Sequence, residues 1–99
     1  MLVHSVFFWL KKDSSKSDLL AFRQGLETLT KITSAEAVYV GTPAATAPRP
    51  VVDASYDFAL TVLLKDVDAH DAYQADPIHL SFVEQFKPKW ERVQIYDAS

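Results

Sequence analysis

Apolar residues change their spacing along this chain, and each change marks an element. Residues 2–11 read as a first strand. Leu2, His4, Val6, Phe8 and Leu10 share one face by alternation. Yet Val6, Phe7, Phe8, Trp9 and Leu10 run without a polar break, so both faces are apolar. Asp13 to Ser17 is polar and turn-like, and Ser17 is the expected N-cap of a helix with Asp18 in its first turn. Leu19, Leu20, Phe22, Leu26, Leu29 and Ile32 then form one helical stripe. Gly25 interrupts it, which points to a close packing contact. Residues 35–41 read as a second strand and 56–65 as a third. The third carries Phe58, Leu60, Val62 and Leu64 on one face and Ala59 and Leu63 on the other. Between them, TPAATAPRPVVDAS (42–55) is long for a connection, and is either an open hairpin loop or a flap over a site. Asp66 caps a short helix, VDAHDAYQA, and Asp76-Pro77 restarts it as PIHLSFVEQF. Leu80, Phe82, Val83 and Phe86 are its expected buried residues, and Pro88 ends or kinks it. Residues 90–97 are the fourth strand, with Trp90, Arg92, Gln94 and Tyr96 opposed to Val93 and Ile95.

The order β-α-β-β-α-β predicts an α+β, ferredoxin-like domain over residues 1–99, with four antiparallel strands and the helices on one face. A chain of 99 residues has no third layer to cover the other apolar face. A second copy packed sheet to sheet does cover it, so a homodimer is expected.

Hydrophobic residues make up 48% of the chain, enough for a core, but no run reaches the ~18–20 apolar residues of a membrane span. The apolar start lacks a basic leader and is followed by Lys11 and Lys12, unlike a signal peptide, so a cytoplasmic location is expected. The absence of cysteine excludes disulfides, thiolate catalysis and iron–sulfur clusters. The net charge of −3 speaks against nucleic acid. RNA-binding sheets of this topology need exposed aromatics among basic residues, whereas the free face here reads as aliphatic-rich. Gly25 and Gly41 are the only glycines, so there is no phosphate-cradling loop. Histidines 4, 70 and 79 make no recognised metal spacing, and neither metal nor organic cofactor is expected.

The pattern His4-x6-Lys11 and the segment YQADPIHLSFVEQFKPKWERVQIYD resemble the stress-responsive dimeric α/β-barrel family. The most specific part is Tyr73-x3-Pro77-x-His79 followed by the Trp90 strand. The resemblance spans nearly the whole chain and implies the same fold and a face-to-face dimer. The family contains stress-associated proteins and a plant branch of cofactor-free polyketide cyclases. In that branch the working groups include histidines at the His4 and His79 positions and a tyrosine at the Tyr73 position. It also has a tyrosine in the first helix, where this chain places Leu26.

The residues have a physical case of their own. With Asp76 as N-cap, His79 is the third helical residue, where the helix dipole disfavours imidazolium. A neutral imidazole is a base, and the Tyr73 hydroxyl across the Asp76-Pro77 break is a donor for an enolate. The alternative is structural: His79 reaches back to the Asp76 backbone, and Tyr73 covers the core edge. His4 on an apolar face is either a hydrogen-bonded core residue or a cavity residue. His70, between Ala69 and Asp71, reads as a solvated helix residue. The expected ligand contacts are Phe8, Tyr56, Phe82 and Trp90. Two functions follow: a homodimer binding a small apolar or aromatic molecule, or a cofactor-free cyclase or lyase with His79 as base and Tyr73 as donor.

Overall fold

Strand β1 (Leu2–Leu10) lies at the centre of the sheet, paired with β3 (Phe58–Leu64) on one side and β4 (Trp90–Ala98) on the other. Strand β2 (Ala35–Gly41) adds outside β3, giving the order β2-β3-β1-β4, antiparallel at every pairing. Helices α1 (Lys16–Thr28), α2 (Val67–Ala75) and α3 (Pro77–Phe86) complete the chain, and short 3-10 turns at Leu29–Lys31 and Lys87–Lys89 lead into β2 and β4. The computed structural model describes residues 1–99. This is the ferredoxin-like α+β fold expected from the element order. No helix is long and apolar enough to cross a membrane.

Helix α1 begins two residues earlier than the Ser17 cap signal suggests. Ser15, not Ser17, is the N-cap. Its hydroxyl accepts from Asp18 N at 3.1 Å, and the Asp18 carboxylate accepts from Ser15 N at 2.9 Å. That reciprocal pair satisfies two free helix-end donors, which Ser17 has no partner to match. The Ser15 N–H and hydroxyl also hold the Asp18 carboxyl below the usual carboxylate range.

The core lies between the sheet and the helices. Leu2, Val6, Phe8 and Leu10 from β1 and Phe58, Leu60, Val62 and Leu64 from β3 meet Phe22, Leu26, Leu29, Phe82 and Phe86. Leu20 and Leu80, expected in the core, are exposed. Each stands two residues before a buried phenylalanine, about 200° away around its helix, and so faces out. Gly25 explains itself at the α1–α3 contact: a Cβ there would lie 2.2 Å from Phe86 Cε2. Gly25→Ala is expected to destabilise the fold by ~1–3 kcal/mol through overpacking, despite alanine's better helix propensity. Urea unfolding checks this, and a Gly25→Ala protein as stable as the parent would contradict it.

Two features of the strands differ from simple alternation. The register shifts between Trp9 and Leu10: Trp9 pairs with Arg92, but Leu10 pairs with Trp90, leaving Glu91 as the extra residue. This bulge turns Trp90 to the helix side, 5.7 Å ring to ring from Phe8, away from Arg92, Gln94 and Tyr96. Strand β3 starts at Phe58 rather than Tyr56. Asp57 takes over the pairing, its N–H donating to Phe8 O and its carboxylate accepting from Leu10 N at 2.7 Å.

The open face of the sheet is more aromatic than its aliphatic reading. Phe7 packs against Tyr56 and Tyr96, and the Arg92 guanidinium stacks on Trp9 at 4.3 Å. Arg92 is the one basic residue among the side chains lining the hollow there. The end of the 42–55 loop folds onto this region: Trp9 Nε1 donates to Ser55 Oγ at 3.0 Å, and Ser55 is tied to Asp53. The loop therefore covers one end of the open face. Val3 and Leu63, on the central strands, stay half-buried, while Tyr39 and Tyr96 are exposed.

Candidate functional site

A break between two helices builds the site. In one continuous helix Tyr73 and His79 would point about 120° apart and stand roughly 9 Å apart along the axis. Asp76 instead leaves helical geometry (φ −62°, ψ 136°), and its side chain accepts from Ile78 N at 2.8 Å to start α3, with Pro77 first. The turn brings the two rings to 5.0 Å. His4 comes up from β1 to within 5.9 Å of the Tyr73 ring. The three residues singled out in the sequence thus meet under the helices, on the core side of the sheet and away from its open face.

Beside them is a cavity of about 150 Å³, lined on its polar side by His4, Gln74 and His79 and on its apolar side by Phe8, Phe82 and Trp90. Ile95 also borders it and is 44% exposed, which marks the mouth. Tyr56 does not join this set. It sits across the sheet against Phe7 and Trp9, because the chain has left the strand before Phe58. Leu26, at the position of the family's first-helix tyrosine, is fully buried apolar core and adds no hydroxyl.

Several buried polar atoms here have no hydrogen-bond partner: Tyr73 Oη, Gln74 Oε1, His79 Nδ1 and Trp90 Nε1. Burial without a partner is costly, and one such atom is uncommon enough to need a reason. Tyr73 is fully buried, and desolvation drives its hydroxyl well above the ordinary phenol range, so it stays a proton donor. Desolvation is also the main force on His79, lowering its pKa from the usual 6.5. The Gln74 backbone and Asp76 oppose this, while His4 and His70 reinforce it. His79 is thus a neutral imidazole near pH 7.

The sign of the linkage follows. Above pH 6.5 His79 is neutral in both the folded and the unfolded chain and has no effect. As pH falls through 6.5 the unfolded chain takes the proton first, so stability drops until folded His79 also titrates. Replacing His79 by Gln is expected to remove part of the stability lost between pH 7 and 5. Thermal melts across that range read it, and an unchanged pH slope would contradict the assignment.

Sequence reasoning missed His70 and Asp97. His70 is largely shielded, edge-on to His4 at 5.1 Å, rather than solvated. The signal was its spacing: residues 70, 73 and 74 share one side of α2. Asp97 is the direct ladder partner of His4, and its carboxylate lies 2.5 Å from His4 Nδ1.

A helix-covered antiparallel sheet with an imidazole–phenol pair at a small cavity defines a ferredoxin-like domain with a pocket of its own inside each chain. The chain belongs to the stress responsive A/B barrel domain family, which matches residues 2–99. No curated protein is significantly similar to it in sequence. Among solved structures, a family member from Mesorhizobium loti superposes with a TM-score of 0.78 at 23% identity, covering 99% of this chain and 94% of the other. A dimeric ferredoxin-like protein of unknown function from Thermobifida fusca gives 0.79 at 19% identity, covering 99% and 89%. Hydroxynitrile lyase from Passiflora edulis gives 0.71 at 19% identity, covering 98% and 90%.

Proposed function

We propose that this protein is a cytoplasmic homodimer that binds one small apolar or aromatic molecule carrying a carbonyl or hydroxyl group. The observation that carries the reading is the set of unpartnered buried atoms on residues lining a greasy cavity, Gln74 Oε1, His79 Nδ1 and Trp90 Nε1, with the unpartnered Tyr73 Oη on the ring packed behind His79. A ligand's polar end supplies the missing bonds, and its apolar part lies among Phe8, Phe82 and Trp90. The cavity's roughly 150 Å³ sets the size, because a void of that volume holds about one benzene-sized ring. Dimerisation is supported by the half-covered apolar open face and by the dimeric relative from Thermobifida fusca.

A second reading, cofactor-free proton transfer beside a carbonyl, is favoured by the neutral state of His79, whose ring lies 5.0 Å from the Tyr73 ring. His79 takes a proton from the carbon next to the carbonyl, and the charge passes to the oxygen facing Tyr73. The hydroxynitrile lyase among its structural relatives supports lyase chemistry on this fold.

Tyr73→Phe tests the site. Removing an unpartnered buried hydroxyl is expected to raise unliganded stability by ~1–2 kcal/mol. Affinity for monoaromatic aldehydes or phenols, screened by NMR, should fall about tenfold, the loss of one hydrogen bond of ~1.4 kcal/mol. A destabilised Tyr73→Phe protein that binds such ligands as tightly as the parent would refute the reading. Deuterium exchange at the carbon next to the carbonyl of an aromatic ketone, followed by NMR, should be catalysed by the parent and disappear in His79→Ala; exchange unaffected by that change would remove His79 as the base.

A further inference from the structure

We propose that His4, His70 and Asp97 form a binding site for one divalent ion of the zinc class, a site that does not depend on the ligand reading above. The three residues come from β1, α2 and β4, and nothing in their sequence spacing joins them. In the fold, one ligand atom from each of His4, His70 and Asp97 lies within 4.8 Å of the other two. A tetrahedral ion with bonds of ~2.0–2.1 Å needs its ligand atoms roughly 3.3 Å apart. His4 Nδ1 lies 2.5 Å from Asp97 Oδ1 and His70 Nε2 lies 3.9 Å from Asp97 Oδ2, so the carboxylate stands between the two imidazoles, and rotation of the less buried Asp97 and His70 about a fixed His4 would bring one donor from each onto an ion.

The tautomer of His70 is already set for this role. Its Nδ1 donates to the Asp71 carboxylate at 3.1 Å, which leaves the Nε2 lone pair directed toward Asp97. A carboxylate behind a ligating imidazole is the usual outer support of a metal site. His4 is held in place by burial, and Asp97, partly exposed, offers an entry route from solvent. Two imidazoles and one carboxylate suit zinc, cobalt or nickel and disfavour magnesium and calcium, which take oxygen ligands. The ion would take the place of the His4–Asp97 hydrogen bond and keep one coordination position open.

The site also clamps the fold, because it joins the first strand, the last strand and α2. The test uses the full chain without a histidine tag, stripped with chelator. Titration with Co²⁺ is expected to give one ion per chain with visible d–d absorption, displaced by Zn²⁺, and a higher melting temperature. His70→Ala and Asp97→Ala should each weaken Co²⁺ binding at least about tenfold. His79→Ala should leave it unchanged, since that imidazole is outside the ligand set. Unsaturable or substoichiometric Co²⁺ binding, or a His70→Ala chain that binds as tightly as the parent, would overturn the proposal.

Discussion

Phe22→Ala is expected to cost ~3–5 kcal/mol of folding stability, the upper range for truncating a single core residue. Phe22 is fully buried at the middle of an aromatic cluster. Its ring lies 5.2 Å from Phe8, 5.4 Å from Phe58, 5.7 Å from Phe82 and 5.4 Å from Phe86, so it touches the sheet and α3 at once. Truncation removes contacts on every side, and rings held by two strands and a helix cannot all move in to fill the gap. Domains of this size hold only ~5–15 kcal/mol in total, so much of the population would unfold on modest warming. Urea unfolding at fixed protein concentration measures the loss. Phe22→Leu, which keeps most of the volume, should lose less than half as much. A Phe22→Ala loss below ~1.5 kcal/mol would mean that the cluster closes around the void, contrary to the packing described.

Leu63→Glu should convert a dimer into a monomer without unfolding the chain. Leu63 sits on the open face of β3, between Val3 of β1 and Ala37 of β2. It is half-buried in the single chain, so glutamate there keeps its water as long as the face is free. In a two-fold, face-to-face dimer the same position buries two unpaired carboxylates, at ~3 kcal/mol or more each. That weakens association by at least ~100-fold. Light scattering should report one 11.1 kDa chain for Leu63→Glu and two for the parent, with matching far-ultraviolet circular dichroism. A Leu63→Glu protein that stays dimeric would show that another surface makes the interface. The cavity proposal survives either result, because His4, Tyr73 and His79 meet on the helix side of the sheet within one chain.

That last point separates what the residues say alone from what folding adds. Local patterning was enough for the element order, the ferredoxin-like topology, the core face of β1 and β3, and the Asp76-Pro77 restart that joins Tyr73 to His79. Those are short-range matters: alternation, helical spacing and capping act within a few residues and leave their mark in the text. The remainder depended on register and docking between distant segments. The Glu91 bulge swings Trp90 into the cavity, and the early start of α1 follows from a reciprocal cap. Tyr56 falls on the opposite face because Asp57, not a strand residue, completes the pairing with β1. Above all, the meeting of His4, His70 and Asp97 needs β1 and β4 paired at one offset and α2 laid across them. No periodicity along the chain encodes that offset, because it is set by how the whole core packs.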